Sequence, residues 1–383
     1  MSTESTVAIV GAGLAGLGAA LSLHAQGISS TIYEAATASE RFAGAIMLSP
    51  NALSILDKLD VYKKVVSSGW EFETVKFVEV DGKVTDQQYL GSKDVFGYKA
   101  LRIYRNTILK ALKDACAERG IAIQYNKKVI SIASETASSA TIEFADGAQG
   151  THPLILATDG IHSRIRTSLF PQSTPTYTGI LVVAGAVPLS ALDTSSLPKD
   201  LTLNQPIGET PANTQPPFLL APQNPTATDF LAGTQRRYPE QSREEWARIN
   251  SDRAFQRNFL LEGVEGRSAL MQSAARGIED ESANQAFEDG WSLALVMASE
   301  KVTQVWKNGG EEWLKVMEKW EGKRKERVGR LLKETMRMNN ARAPKEVRDK
   351  LPKEEIWSGD GGVGQGRWIF EPKIEEWVEE ITR

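Results

Sequence analysis

Cysteine is nearly absent from this chain. Cys116 is the only one, so no internal disulfide can form. Histidine is almost as scarce, and His24, His152 and His162 lie too far apart in sequence to suggest a metal-ligand cluster. Positive charge does not exceed negative either. The 45 basic residues stand against 49 acidic ones, a net charge of −4, which excludes long-range attraction to nucleic acid or anionic lipid. No apolar run approaches the ~20 residues that cross a bilayer, and the opening MSTEST lacks the basic residues and apolar core of a signal peptide. These absences predict a cytoplasmic protein in a reducing compartment, with no metal, no nucleic-acid partner and no membrane span. What is present is a chain of 383 residues, 41 % hydrophobic and 25 % charged, enough for two subdomains around one ligand.

The patterning begins β-α-β. Residues 7–10 are a β-branched run, glycines follow at once, residues 14–24 have helical apolar spacing, and residues 30–34 resume a strand. Further helical patterns cover 50–59 and 106–119, the second ending at Gly120, where a C-cap glycine belongs. Strand-like runs at 121–132, 140–144 and 153–157, with Asp146-Gly147 as a turn, predict a β-meander returning to the first sheet. From Tyr177 to Arg237 strand-like GILVVAGAV and DFLAGTQRR are joined by Pro- and Asn-rich connectors, which predicts an inserted second sheet. A long helical stretch from Glu288 through Trp306, Trp313 and Trp320 to Met338 reads as a solvated helix with a buried tryptophan stripe. The glycine-rich GDGGVGQGRW after Pro344 follows no strand and precedes no Lys-Ser/Thr, so it reads as a loop rather than a phosphate site.

Gly11-Ala-Gly13-Leu-Ala-Gly16 stands between a predicted strand and a predicted helix, the context that gives this spacing meaning. Gly11 is read as making the tight turn, Gly13 as letting backbone approach a pyrophosphate, and Gly16 as allowing close helix-sheet packing. The phosphates would meet the helix N-terminus. Glu34, at the end of the second strand, is placed to accept the two hydroxyls of an adenosine ribose, and an acid there disfavours a 2′-phosphate. The motif leaves NAD and FAD equally open.

Four segments resemble the FAD-dependent aromatic hydroxylases, the group that includes salicylate and hydroxybenzoate monooxygenases: GAGLAGLGAALSLHAQGISSTIYEA at Gly11, GAIMLSPNAL at Gly44, YRNTILKAL at Tyr104 and ATDGIHSRIR at Ala157. The resemblance runs from Val7 to about Arg330. It implies an α/β fold: a Rossmann-like FAD-binding domain with a β-meander, an inserted mixed or antiparallel sheet for substrate, and C-terminal helices. The expected divisions are 1–170 for the first part of the FAD-binding domain, with pocket segments around 60–100. Residues 171–260 would be the substrate sheet, 261–345 the remnant of the FAD-binding domain with C-terminal helices, and 346–383 a tail. The resemblance also implies that Arg41 and Arg105 contact the flavin, with Arg102 competing for the second role. Arginine suits a pyrophosphate because its planar fork donates two parallel hydrogen bonds. Asp159-Gly160 is similar to the family's second fingerprint, although Ala157-Thr158 replaces the usual Gly-Ala. The chemistry implied is transfer of hydride from NADH or NADPH to the flavin, addition of molecular oxygen at C4a, and hydroxylation of a small aromatic substrate by the resulting hydroperoxide. No triad or metal is required, and no catalytic side chain is assigned. His162 reads as an exposed loop residue.

One part of the pattern is broken. SANQAFEDGWSLALVMA from Ser282 matches relatives closely, but the strand ending in Gly-Asp that normally precedes it is missing from FLLEGVEGRSALMQSAARGIEDE. Residues 259–281 hold no β-branched run suited to a buried strand, and neither histidine nor proline. Ser282, Ala283 and Asn284 are expected near the flavin ring. The loss predicts open apolar sheet edges and reduced stability. It also leaves two readings beside the monooxygenase: an inactive or mis-spliced relative keeping only partial FAD binding, and an NAD-linked dehydrogenase. Tyr89-Leu-Gly-Ser-Lys93 has a Tyr-x-x-x-Lys spacing, but Gly91 inside it predicts strand or loop rather than the single helix such a pair needs.

Overall fold

Parallel strands are covered on both faces and therefore read as unbroken apolar runs. Val7–Val10 is such a strand, buried at every residue. It lies inside a four-stranded parallel sheet in the order Ile155–Ala157, Val7–Val10, Ser30–Tyr33, Ala122–Gln124. This computed structural model describes residues 6–38, 44–195, 197, 201–210, 216–278, 280–281, 311–341, 348–356 and 367–382.

Helix Leu14–Ala25 carries Leu14, Leu17, Leu21 and Leu23 into the core, and helix Arg105–Glu118 packs beside it through Ile108 and Leu112. The apolar run at 121–132 serves two sheets. Ala122–Gln124 closes the parallel sheet, Asn126 turns with φ 58°, and Val129–Glu135 begins a three-stranded antiparallel meander with Ala140–Phe144 and Gln149–His152. A short polar turn divides what periodicity alone reads as one strand. The meander is tied down by a buried contact, 3.1 Å between the Tyr33 hydroxyl and His152 Nε2, while His152 Nδ1 lies 2.8 Å from the Thr6 carbonyl.

The second large sheet has seven strands, in the order Asp280–Glu281, Ile180–Pro188, Asp229–Arg237, Phe218–Pro222, Ile207–Glu209, Thr74–Val78, Val84–Tyr89. All neighbours are antiparallel except Ile207–Glu209 with Thr74–Val78, so the sheet is mixed. Helices Arg253–Leu261 and Ala269–Gly277 cover one face, burying Phe259, Leu260, Leu270 and Met271 against Phe218 and Phe230. Residues 264–278 thus pack on this sheet rather than on the parallel one. Buried Arg267 crosses to Glu209 at 3.6 Å and donates to the Pro216 carbonyl at 2.7 Å. Between the two large sheets sits a small antiparallel sheet of Ala45–Leu48, Ala100–Tyr104 and Trp70–Phe72.

Trp313 and Trp320 of helix Glu311–Ala341 are partly buried and pack on the dinucleotide core, as the sequence predicts for these two, while Trp306 lies outside the described residues. The last residues are not a loose tail. Ile374, Val378 and Ile381 of helix Ile374–Thr382 are buried in the same core, and Phe370 stacks edge-on against Phe96 at 5.0 Å. The only outer neighbour that Ile155–Ala157 could take is missing among the described residues, and its side chains are partly exposed.

Candidate cofactor site

The turn after Val7–Val10 is shaped by steric necessity at two glycines. Gly11 has φ +105°, and a Cβ on it would sit 2.7 Å from the Thr158 carbonyl oxygen. A Cβ on Gly16 would lie 1.9 Å from the Gly11 carbonyl oxygen, so helix Leu14–Ala25 can approach the strand only as a glycine. Gly13 differs. Its φ is an ordinary −76°, and nothing lies within 4 Å of where its Cβ would point. It caps the helix with no side-chain hydrogen bond to the first-turn amides.

Three groups converge on this turn. The Glu34 carboxylate accepts from the Ala12 amide at 2.6 Å and from the Ala36 amide at 2.7 Å, which fixes it over the glycine loop with lone pairs to spare for a diol. Asp159 follows strand Ile155–Ala157. Its Oδ2 accepts from the Arg164 amide at 2.9 Å, whereas its buried Oδ1 has no partner. Gly160, with φ +82°, makes the bend that returns the chain into helix Arg164–Leu169, capped by Ser163. The third group, Thr158, was not singled out from sequence. Its hydroxyl lies 2.8 Å from the Val10 carbonyl and 3.1 Å from that of Gly11, tying the fingerprint to the glycine turn. The signal was there in the replacement of the usual Gly-Ala by Ala157-Thr158.

Arg105 opens helix Arg105–Glu118, its amide donating to the Gly44 carbonyl at 2.8 Å. Burial lowers its pKa. Arg102, in the preceding strand, lies on the face opposite the buried Leu101 and Ile103, paired with Met47 and Trp70. Arg41, Ser282, Ala283 and Asn284 lie outside the described residues. His162 is exposed, as expected for a loop residue. Tyr89 ends a strand and Lys93 begins the separate short helix Lys93–Phe96, so the two do not share a helix face and the dehydrogenase-like spacing is coincidental. No metal-ligand group occurs among the described residues, and no described helix is long and apolar enough to cross a membrane.

These residues fit a dinucleotide. An uncapped helix start, open space at Gly13 and an orphaned carboxylate oxygen at Asp159 are features that the protein alone leaves incomplete. Comparisons with known proteins agree on which dinucleotide. A FAD-dependent monooxygenase of Gibberella moniliformis is 29 % identical over 208 residues, covering 49 % of this chain and 46 % of that protein. The 3-amino-4-hydroxybenzoate 2-monooxygenase PtnB3 of Streptomyces platensis is 27 % identical over 323 residues, 77 % of this chain and 80 % of its own. In the first of these, as in several others, the chain spans about half the length of the curated relative it matches. Among solved structures, a salicylate hydroxylase substrate complex superposes with a TM-score of 0.72 at 16 % identity, over 100 % of this chain and 99 % of that one, which shows a shared fold. The family model described as FAD binding domain matches residues 4–270, from the glycine turn through the second sheet, and the chain therefore belongs to that FAD-binding family.

Proposed function

We propose that the protein is a FAD-dependent monooxygenase, consuming NADH or NADPH and molecular oxygen to hydroxylate a small aromatic substrate. One oxygen atom enters the product, the other leaves as water, and the nicotinamide supplies the two electrons. The observation that carries this reading is the joining of two fingerprints into one site: Thr158 and Asp159 close over the turn at Gly11. Gly11, Gly13 and Gly16 would shape the pyrophosphate cradle, with Glu34 on the ribose and Arg105, Asp159 and Gly160 around the phosphates. Arg41, Ser282, Ala283 and Asn284 are proposed to complete the site. When bound, the flavin would supply the redox and oxygen chemistry, while these residues would hold and orient it.

The test is to purify the full chain with FAD and measure retained flavin by its visible absorbance. NAD(P)H oxidation is then followed with a panel of hydroxylated aromatics under ¹⁸O₂, with mass spectrometry of the products. Retained flavin and one ¹⁸O per product support the proposal. A colourless protein, or one that makes only hydrogen peroxide with every substrate, overturns it. A second reading, a relative that binds FAD without turnover, draws on the absence from the sequence of a Gly-Asp strand before Ser282.

A further inference from the structure

Arg102 occupies the middle strand of the small sheet, directly opposite Met47 on one side and Trp70 on the other. Residues paired across antiparallel strands project to the same face. Arg102, Met47 and Trp70 therefore form a row on one face, while Leu101 and Ile103, on the other, are buried in the dinucleotide core. Only 8 % of Arg102 is exposed, and its fully buried Nε has no hydrogen-bond partner. No carboxylate among the described residues pairs with it, and burial alone brings its pKa down to about 10. The other deeply buried arginine, Arg267, is compensated by Glu209 and a carbonyl. Arg102 is the exception.

An unpaired buried guanidinium is costly, and an anion that arrives there recovers the cost. The face on which it lies identifies where that anion comes from. The indole of Trp70 donates to the Asn204 carbonyl at 3.0 Å, just before the Ile207–Glu209 strand of the seven-stranded sheet. The phenol of Tyr104, two residues along on the same face, has its pKa raised by burial and secondarily by Asp229 at the start of strand Asp229–Arg237. Met47 is 36 % exposed, so the row opens to solvent beside the buried charge. Arg105 is three residues away, about 10 Å along an extended strand, at the start of the helix packed on Leu14–Ala25.

We infer that Arg102 is a specificity residue, a guanidinium that receives an anionic group of the substrate on the face of the small sheet that it shares with Met47 and Trp70. It would take a carboxylate or phenolate oxygen in its fork while the aromatic ring rests on Met47 and Trp70. This rests on the monooxygenase reading for the word substrate, but its test does not depend on turnover.

Benzoate and benzamide have the same shape and differ in charge. Their binding to the full-length protein is measured by tryptophan fluorescence, with and without FAD. The wild type is expected to bind benzoate at least tenfold more tightly than benzamide. R102M and R102Q should bring that ratio to about one, with R102K intermediate and all three melting cooperatively by circular dichroism. FAD affinity of R102M should stay within twofold of wild type. A wild-type ratio near one, or a benzoate preference that survives R102Q, overturns the inference. So does a tenfold loss of FAD affinity in R102M, which would give the guanidinium to the pyrophosphate. A preference for benzoate in protein that binds no FAD would sustain the role of Arg102 while removing the monooxygenase reading.

Discussion

Around Gly11, the Ala12 and Ala36 amides donate to the Glu34 carboxylate and the Thr158 hydroxyl donates to backbone carbonyls, and the openings that remain are at Gly13 and at one oxygen of Asp159. Around Arg102 the opposite holds: a full charge is buried with no compensating group among the described residues. The first region is a mould fixed by sterics, where almost any change of shape is harmful. The second is an electrostatic vacancy, where removing the charge relieves the protein and harms only recognition. A cofactor that never varies suits a mould, and a substrate that must be told from others suits a charge.

The largest test of the mould is Gly16→Val. With a Cβ placed 1.9 Å from the Gly11 carbonyl oxygen, the strand and helix must part. The expected cost is about 3 kcal/mol or more, seen as a much lower melting temperature and no retained flavin. Glu34→Ala comes next. It strands the Ala12 and Ala36 amides and removes the proposed ribose acceptor, so about 2 kcal/mol of stability and at least tenfold in FAD affinity should be lost, read by thermal melt and flavin titration. The contrast is sharpest in Arg102→Met, which should stabilise the flavin-free protein by about 1–2 kcal/mol. A fall in melting temperature would mean that the charge is compensated after all. Thr158→Val should cost about 1 kcal/mol and weaken FAD a few fold, because only the hydroxyl tie is lost. The mildest measurement reports on the mould without altering it. Burial pushes the Cys116 thiol up to about 12, so at pH 8 it should resist thiol reagents until the dinucleotide core unfolds, when an ordinary thiol pKa returns.

Much of the mould was legible because its requirements are local. Gly11, Gly16 and Glu34 do their work within a β-α-β unit whose periods can be read directly, and the fingerprint at Asp159 follows its own strand. Thr158 escaped notice because its partners are in another part of the chain. The surroundings of Arg102 were less legible for the same reason. That Arg102 is buried, faces Trp70 and lacks an acid follows from strand pairing, not from the residues next to it. The split of residues 121–132 between two sheets and the docking of 374–382 into the first core are likewise tertiary outcomes, since an apolar run does not say which sheet it joins. The long helix was read correctly in its described part because a tryptophan every seven residues is a local pattern.

The bond from Thr158 to the Gly11 carbonyl joins residues 147 positions apart. The most recognisable motif in the chain is therefore finished late. A nascent chain that has emerged through Glu34 holds every residue of the glycine signature, yet the carbonyl that shapes the cradle stays untethered until strand Ile155–Ala157 docks beside Val7–Val10. Pairings of such long sequence separation form slowly. Competence to hold a dinucleotide should thus appear as a late kinetic phase in refolding, behind the burial of the first helix, and flavin added early would find no finished seat.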